Sequence, residues 1–322
     1  MIAQAQRPVC RGDAQMKKRI LEAIAIAIVC SVPIAAQWPK YQESGVPRDA
    51  KGSPRLDAPP PRTADGKPDL SGMWQRADRD PVPAQLAGLF SDQAAGRGGR
   101  RGSSPSPIQQ GAQVPPDPNS PPTAAFWDIG TNLKDGLPLT PWAAELKKQR
   151  MATNSINNPD ANCLPLGIHP LHTHPDPRKI IQTPKVIVMA WEANYGLRYI
   201  YTDGRKLPPL GEPQPWWYGY SVGRWEGDTL VVETNNVRGA EMGPFDGWLD
   251  VNGSPHSDQV KFTERFRRPT FGKLEIDLTI EDAKAYSKPF TVRINQRVVV
   301  DNELIEFICN ENQQFRRRVK VD

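Results

Sequence analysis

The four histidines of this 322-residue chain fall in two places, His169-Pro170-Leu171-His172-Thr173-His174-Pro175-Asp176 and His256-Ser257. In the first, the prolines favour extended backbone. That puts His172 and His174 on one side, close enough to share a metal ion, with His169 or Asp176 as a third ligand. Spacing alone seldom makes a site, so the plainer reading is favoured: a proline-rich surface loop whose imidazoles make local hydrogen bonds. At the second place, adjacent His256 and Ser257 point apart in extended chain, which argues against a Ser–His–acid triad with Asp250 or Asp258. His256 as a lone general base, assisted by Glu233 or Asp250, fits the spacing better.

A second kind of signal is a polar residue on an apolar face. Over 258–268 the period-two face is Val260, Phe262 and Phe266, and Glu264 falls on it. Over 289–300 the face is Phe290, Val292, Ile294, Val298 and Val300, and Gln296 falls on it. A buried carboxylate needs a cation, a ligand or a proton. Arg198, Arg224 and Arg265 are the candidate partners. The set is either a structural ion pair or the polar anchor of a cavity. Aromatic residues are dense between Trp191 and Trp225, including Tyr199, Tyr201, Trp216, Trp217, Tyr218 and Tyr220. They are core packing or the wall of a small-molecule pocket. The chain has no Gly-rich phosphate loop ahead of a helix, no Cys-x-x-Cys pair and no Gly-x-Ser-x-Gly elbow.

The elements that must position these residues are mainly strands. Segments 184–192, 197–203, 217–225, 228–235, 258–268, 273–281, 289–300 and 303–309 have strand composition, several separated by turn signals such as Glu226-Gly227-Asp228 and Phe271-Gly272-Lys273. In 273–281, Leu274, Ile276, Leu278 and Ile280 alternate with Lys273, Glu275, Asp277 and Thr279, the pattern of a half-buried antiparallel strand. Mostly short connections without helices predict a mainly β fold, an antiparallel up-and-down meander closing into a barrel, with a Pro-rich irregular N-terminal half. The long connection 236–257 is placed over the barrel mouth. One short helix is expected over 141–151, capped by Thr140, opened by Pro141, with Lys147, Lys148 and Arg150 near its negative end.

Of the 34 prolines, 25 lie in residues 1–177, which excludes a helical bundle or a βαβ repeat there. Residues 16–36 have the basic start, apolar run and small-residue end of a signal peptide, with cleavage near Ala36. Met1–Gln15 then reads as an upstream over-extension, and the expected location is periplasmic or extracellular. Residues 37–65 read as a Pro-rich linker and 66–322 as one barrel domain, with a disordered insertion over 92–122 containing the run Gly96-Arg97-Gly98-Gly99-Arg100-Arg101-Gly102. Net charge is only +5, so that run does not make a nucleic-acid signature, and no segment outside the leader is apolar enough to span a membrane. After export, Cys163 and Cys309 remain. They form one disulfide or stay as buried thiols, or Cys163 ligates a metal.

Several phrases resemble those of known proteins. Asp69-Leu70-Ser71-Gly72-Met73-Trp74 looks like the Gly-x-Trp opening of lipocalin-type barrels. Asn162-Cys163-Leu164-Pro165, Tyr201-Thr202-Asp203-Gly204-Arg205, the stretch from Gly219 to Thr234 and Cys309-Asn310-Glu311-Asn312 resemble a large family of uncharacterised bacterial secreted proteins. The resemblance covers residues 66–80 and 125–312. It implies secretion and favours pairing of Cys163 with Cys309, tying residues 158–177 to the final strand. The lipocalin likeness is one of fold and not of function. The expected function is therefore an exported, lipocalin-like protein binding a small, largely apolar ligand in a barrel cavity, anchored by Glu264, Gln296, Arg198 and Tyr220. The alternative is a secreted hydrolase or lyase at the barrel rim, using His256 with Glu233 or Asp250. No cofactor is implied beyond a metal at His169, His172 and His174.

Overall fold

The computed structural model describes residues 42–78 and 119–312. The expected signal peptide over 16–36, the residues before it and most of the expected insertion over 92–122 lie outside them. Nine strands close into a barrel in chain order: β1 (Gly72–Arg76), β2 (Arg178–Gln182), β3 (Val186–Trp191), β4 (Leu197–Tyr201), β5 (Tyr220–Glu226), β6 (Thr229–Asn235), β7 (Lys261–Thr270), β8 (Lys273–Glu281) and β9 (Phe290–Val299). In β8 Leu274, Ile276, Leu278 and Ile280 all face the core, so the period-two pattern sets both its bounds and its orientation. β5 and β6 meet at Glu226↔Thr229 across a two-residue turn where Gly227 takes φ +60°, a conformation suited to glycine.

Closure does not come from residues 303–309. They are not a strand, and end in a single turn of 3₁₀ helix, Cys309–Asn312. β9 already has β8 on one edge and β1 on the other, through Met73↔Val299 and Trp74↔Val298, so no edge remains for a further strand. Two short strands complete the wall: β1, at the Gly-x-Trp opening, and β2, which the sequence pattern hides. Nor is the meander wholly antiparallel. β4 and β5 run parallel, joined by the Pro-rich crossover 202–219, and pair only at Ile200↔Ser221 and Tyr201↔Val222.

Among the described residues, two α-helices accompany the barrel. α1 (Pro141–Ala152) starts as expected, with Thr140 Oγ1 accepting from Ala143 N at 3.3 Å. Arg150 stands in the last turn, as expected. It is buried and donates to the carbonyls of Asp246 and Gly247, fastening the 236–257 connection to the helix. α2 (Ile168–Thr173) is fully buried and corrects the expectation of extended chain. Pro170 sits in its first turn, where its missing N–H costs no helical bond. His174, ahead of Pro175, is already extended at φ −57°, ψ 141°.

The Gly-x-Trp segment forms one end of the core. Trp74 is wholly buried, its indole N–H donates to Leu70 O at 2.9 Å, and the Arg268 guanidinium lies 4.8 Å from its ring centre. The Pro-rich stretch before it, whose composition predicts extended and poorly packed chain, instead folds into turns closed by the bridges Arg48↔Pro54 and Arg62↔Pro68, and is pinned to the barrel. Phe271 N donates to Ala58 O at 2.7 Å, and Arg48 and Arg62 pair with Asp301 and Asp228. Cys163 and Cys309 are bonded, their Cα atoms 5.5 Å apart. The bridge ties the segment before α2 to the tail beyond the barrel and not to a final strand.

Candidate functional site

Alternation along β7 sends Glu264 inward between Phe262 and Phe266, and alternation along β4 does the same for Arg198. Both are buried. Arg198 Nη1 donates to Glu264 Oε1 at 2.9 Å, and Nη2 donates to Oε2. Nε donates to Ser221 Oγ at 3.1 Å and Nη2 also to Thr234 Oγ1 at 2.9 Å, so strands β4, β5, β6 and β7 are linked through one guanidinium. The other two expected partners face outward. Arg265 follows Glu264 in the same strand and so takes the opposite face, where it meets Glu226, while Arg224 meets Glu233.

α2 brings a further member that the extended reading could not supply. His172 Nε2 lies 2.7 Å from Glu264 Oε1. Burial raises the Glu264 carboxyl, but the Arg198 charge and the His172 bond outweigh it and hold the pKa at about 2. Burial drives His172 down to about 4, against the pull of Glu264. The pair is therefore carboxylate and neutral imidazole. A carboxylate only accepts, so Nε2 carries the proton and Nδ1 keeps a bare lone pair with no hydrogen-bond partner. Gln296 Nε2 donates to His172 O at 2.7 Å, which places Gln296 beside α2. The barrel interior at Glu264 and Gln296 is thus occupied by this helix.

The three clustered histidines separate. His169 Nδ1 bonds the Leu249 carbonyl and His172 bonds Glu264, while His174 lies 3.5 Å from Asp160 and 3.4 Å from Asp176. Helical geometry, in place of extended chain, turns them to different neighbours. Among the described residues no group of three or more His, Cys, Asp or Glu could hold a metal ion. Burial lowers His174, yet Asp160 and Asp176 together hold its pKa above the ordinary value.

His256, Glu233 and Asp250 are not brought together either. His256 is buried with Nδ1 3.1 Å from Ser257 O, Glu233 is on the outer face between Lys261 and Arg224, and Asp250 accepts from the backbone N–H groups of Ile129 and Ser254. Ser257 does find an acid, Asp282, at 2.8 Å, but without a histidine. Asp258 is exposed and its N–H donates to Glu241.

Where the wall is thinnest, it opens. Because β4 and β5 pair over two residues only, Leu197, Arg198 and Tyr199 have no strand neighbour on that side, and a cleft of about 610 Å³ forms between them and residues 214–221. Its walls are Tyr199, Tyr201, Trp216, Trp217, Tyr218 and Tyr220, and Arg198 and Ser221 reach it from the interior. Tyr220 stacks near Tyr201 at 5.3 Å and near Trp216 at 6.0 Å, and its hydroxyl accepts from Arg205 at 2.9 Å. Gly219 shapes the turn into β5 at φ +60°, where a Cβ would come within 2.4 Å of Asn235 O. Of the four expected anchors, Arg198 and Tyr220 line this cleft, Glu264 lies directly behind Arg198, and Gln296 serves α2. Sequence reasoning missed Ser221 and Thr234, although both fall on inward positions of otherwise apolar faces. Comparisons with family models, curated proteins and solved structures found no match.

Proposed function

We propose that this chain binds a small, planar, largely apolar or aromatic molecule in the side cleft between β4 and Trp216–Ser221, outside and not within a lipocalin-like barrel. One observation carries the reading: six aromatic side chains converge on a cleft of about 610 Å³ whose floor supplies the Arg198 and Ser221 polar groups. A mostly apolar wall with few fixed polar atoms is the usual makeup of a small-molecule site. The Arg198–Glu264 pair holds that floor rigid, and with the guanidinium charge already neutralised the cleft favours a neutral ligand. Export to the periplasm or beyond is part of the proposal, supported by the leader-like residues 16–36 and by the disulfide. Mass spectrometry of an organic extract of the natively purified protein is expected to find one such molecule. Trp216→Ala should weaken its binding by roughly tenfold or more while leaving the fold intact, because Trp216 is half exposed. Loss of the fold with loss of binding, or binding unaffected by the substitution, would remove the cleft from the account.

A second reading, a hydrolase or lyase using a His–acid pair, is favoured by the His172–Glu264 contact, a different pair from the one expected at the rim. A carboxylate that orients an imidazole and leaves its other nitrogen bare is the arrangement of a general base. Its demand is access, because both side chains are fully buried. His172→Gln separates the two readings. Turnover that vanishes while cleft binding persists makes the pair catalytic, and unchanged behaviour makes it structural.

A further inference from the structure

Arg178, on β2, is a buried cation whose best edge faces no protein partner. Its side chain is fully buried, and Nη1 reaches the carbonyls of Leu171 and His172 only at 3.4 Å. Nε and Nη2, the two parallel donors of the side-on fork, have no hydrogen-bond partner. The acid nearest in its electrostatics is Glu264, already engaged by Arg198 and His172. The interior network thus holds two guanidinium groups against one carboxylate, with His172 and His169 kept neutral by burial. An uncompensated buried charge is strongly disfavoured, and buried donors are nearly always satisfied.

Two acceptors without partners lie at the same place. The His172 carbonyl receives both Arg178 Nη1 and Gln296 Nε2, so the two side chains meet at one atom. Beside it are Gln296 Oε1 and His172 Nδ1, also buried and unpartnered. Two orphan donors on this guanidinium, and two bare acceptors on the residues it meets through Nη1, call for an oxyanion that itself carries an O–H.

We propose that Arg178, Gln296 and His172 form an internal binding site for a small oxyanion with one hydroxyl, of the class of hydrogencarbonate, dihydrogenphosphate or a short hydroxy acid. Two of its oxygens accept from Arg178 Nε and Nη2 in the bidentate geometry that suits a guanidinium. Its O–H donates to Gln296 Oε1 or to His172 Nδ1. The charge balances the network, and both orphan donors are satisfied. Burial, which lowers Arg178 to about 9, still leaves it cationic at neutral pH. The site is independent of the side cleft, so its failure leaves the cleft reading standing.

Because the site is enclosed, the anion enters as the chain folds. The full chain, disulfide intact, is unfolded in urea and refolded with sodium hydrogencarbonate, phosphate or glycolate, with chloride at equal ionic strength as control. Native mass spectrometry then reads the mass excess, and urea melts read the midpoint. One bound oxyanion per chain, with a midpoint that rises with the logarithm of its concentration, is expected for at least one probe. Which probe succeeds distinguishes an inorganic from an organic source. Arg178→Gln should abolish both responses while keeping the native near-UV spectrum. If that variant does not fold, the wild-type mass excess and midpoint decide alone. No mass excess and no response to any probe beyond chloride would mean that water alone fills the site, and would overturn the proposal.

Discussion

Glu264 shows how one residue couples the interior. An unpaired carboxylate with no exposure would cost several kcal/mol, and it is tolerated because Arg198 meets it with two donors and His172 with a third. Removing one partner should therefore hurt more than removing both. Glu264→Leu or Arg198→Met alone is expected to lose about 3–5 kcal/mol, since each leaves a buried charge or donor behind. The double variant, with apolar groups of similar volume, should be less destabilised than either single variant. Urea midpoints of the four proteins check this, and single variants within about 1 kcal/mol of wild type would mean that the network is solvated. The Glu264–Arg198 half of this network is legible in the sequence, because period two puts Glu264 between Phe262 and Phe266. Arg265, expected as a candidate partner, is the next residue in the strand and so takes the outer face, where it meets Glu226. The His172 half is not legible, because a contact between residues 172 and 264 depends on a helix that no local pattern announces.

At the scale of elements, legibility follows hydrophobic period and length. β8 alternates over nine residues and its bounds are those expected. β2 is five residues flanked by Pro177 and Pro184, too short for a pattern. α2 is hidden because the prolines around it favour extended chain, whereas Pro170 in a first turn is compatible with helix. Residues 303–309 have strand composition, yet Ile305, Phe307 and Ile308 remain partly exposed because the sheet has no edge to offer. The parallel β4–β5 seam comes from the crossover 202–219, whose prolines keep it out of the ladder, and that seam makes the cleft. Gly219 is where this geometry is tightest. Gly219→Ala should cost about 2 kcal/mol or more, through positive φ and the Asn235 O and Val237 contacts, and should weaken cleft binding as well. A melting midpoint equal to wild type would show that the turn into β5 relaxes freely.

For the whole molecule, two properties set the conditions under which the barrel persists. The disulfide closes a separation of 146 residues, and chain entropy puts its worth at about 5 kcal/mol. Thiol titration of the unfolded, unreduced protein should find neither Cys163 nor Cys309 free, and reduction should lower the urea midpoint sharply. The second property is pH. Burial depresses His172 to about 4 and His169 to about 3, and it lowers His256 too, whereas the unfolded chain takes up protons near 6.5. Below 6.5 the unfolded state binds more protons than the folded state, so stability falls with pH by about 1.4 kcal/mol per unit for each of these imidazoles. The loss from His172 is complete near pH 4 and that from His169 near pH 3. Glu264, ordinarily near 4.5 and held at about 2, adds a loss of the same sign, since its contribution is present above 4.5 and disappears as pH falls toward 2. His174 acts in the opposite sense: its raised pKa gives stability that is present below 6.5 and lost as pH rises through the folded value, so it is silent in the acid window. Urea midpoints measured between pH 7.5 and 5 should therefore fall steeply, with two to three protons taken up on unfolding, and His169→Gln should reduce that uptake by one. A flat profile over this range would mean that the imidazoles titrate normally in the folded protein, and that α2 does not sit sealed inside the barrel.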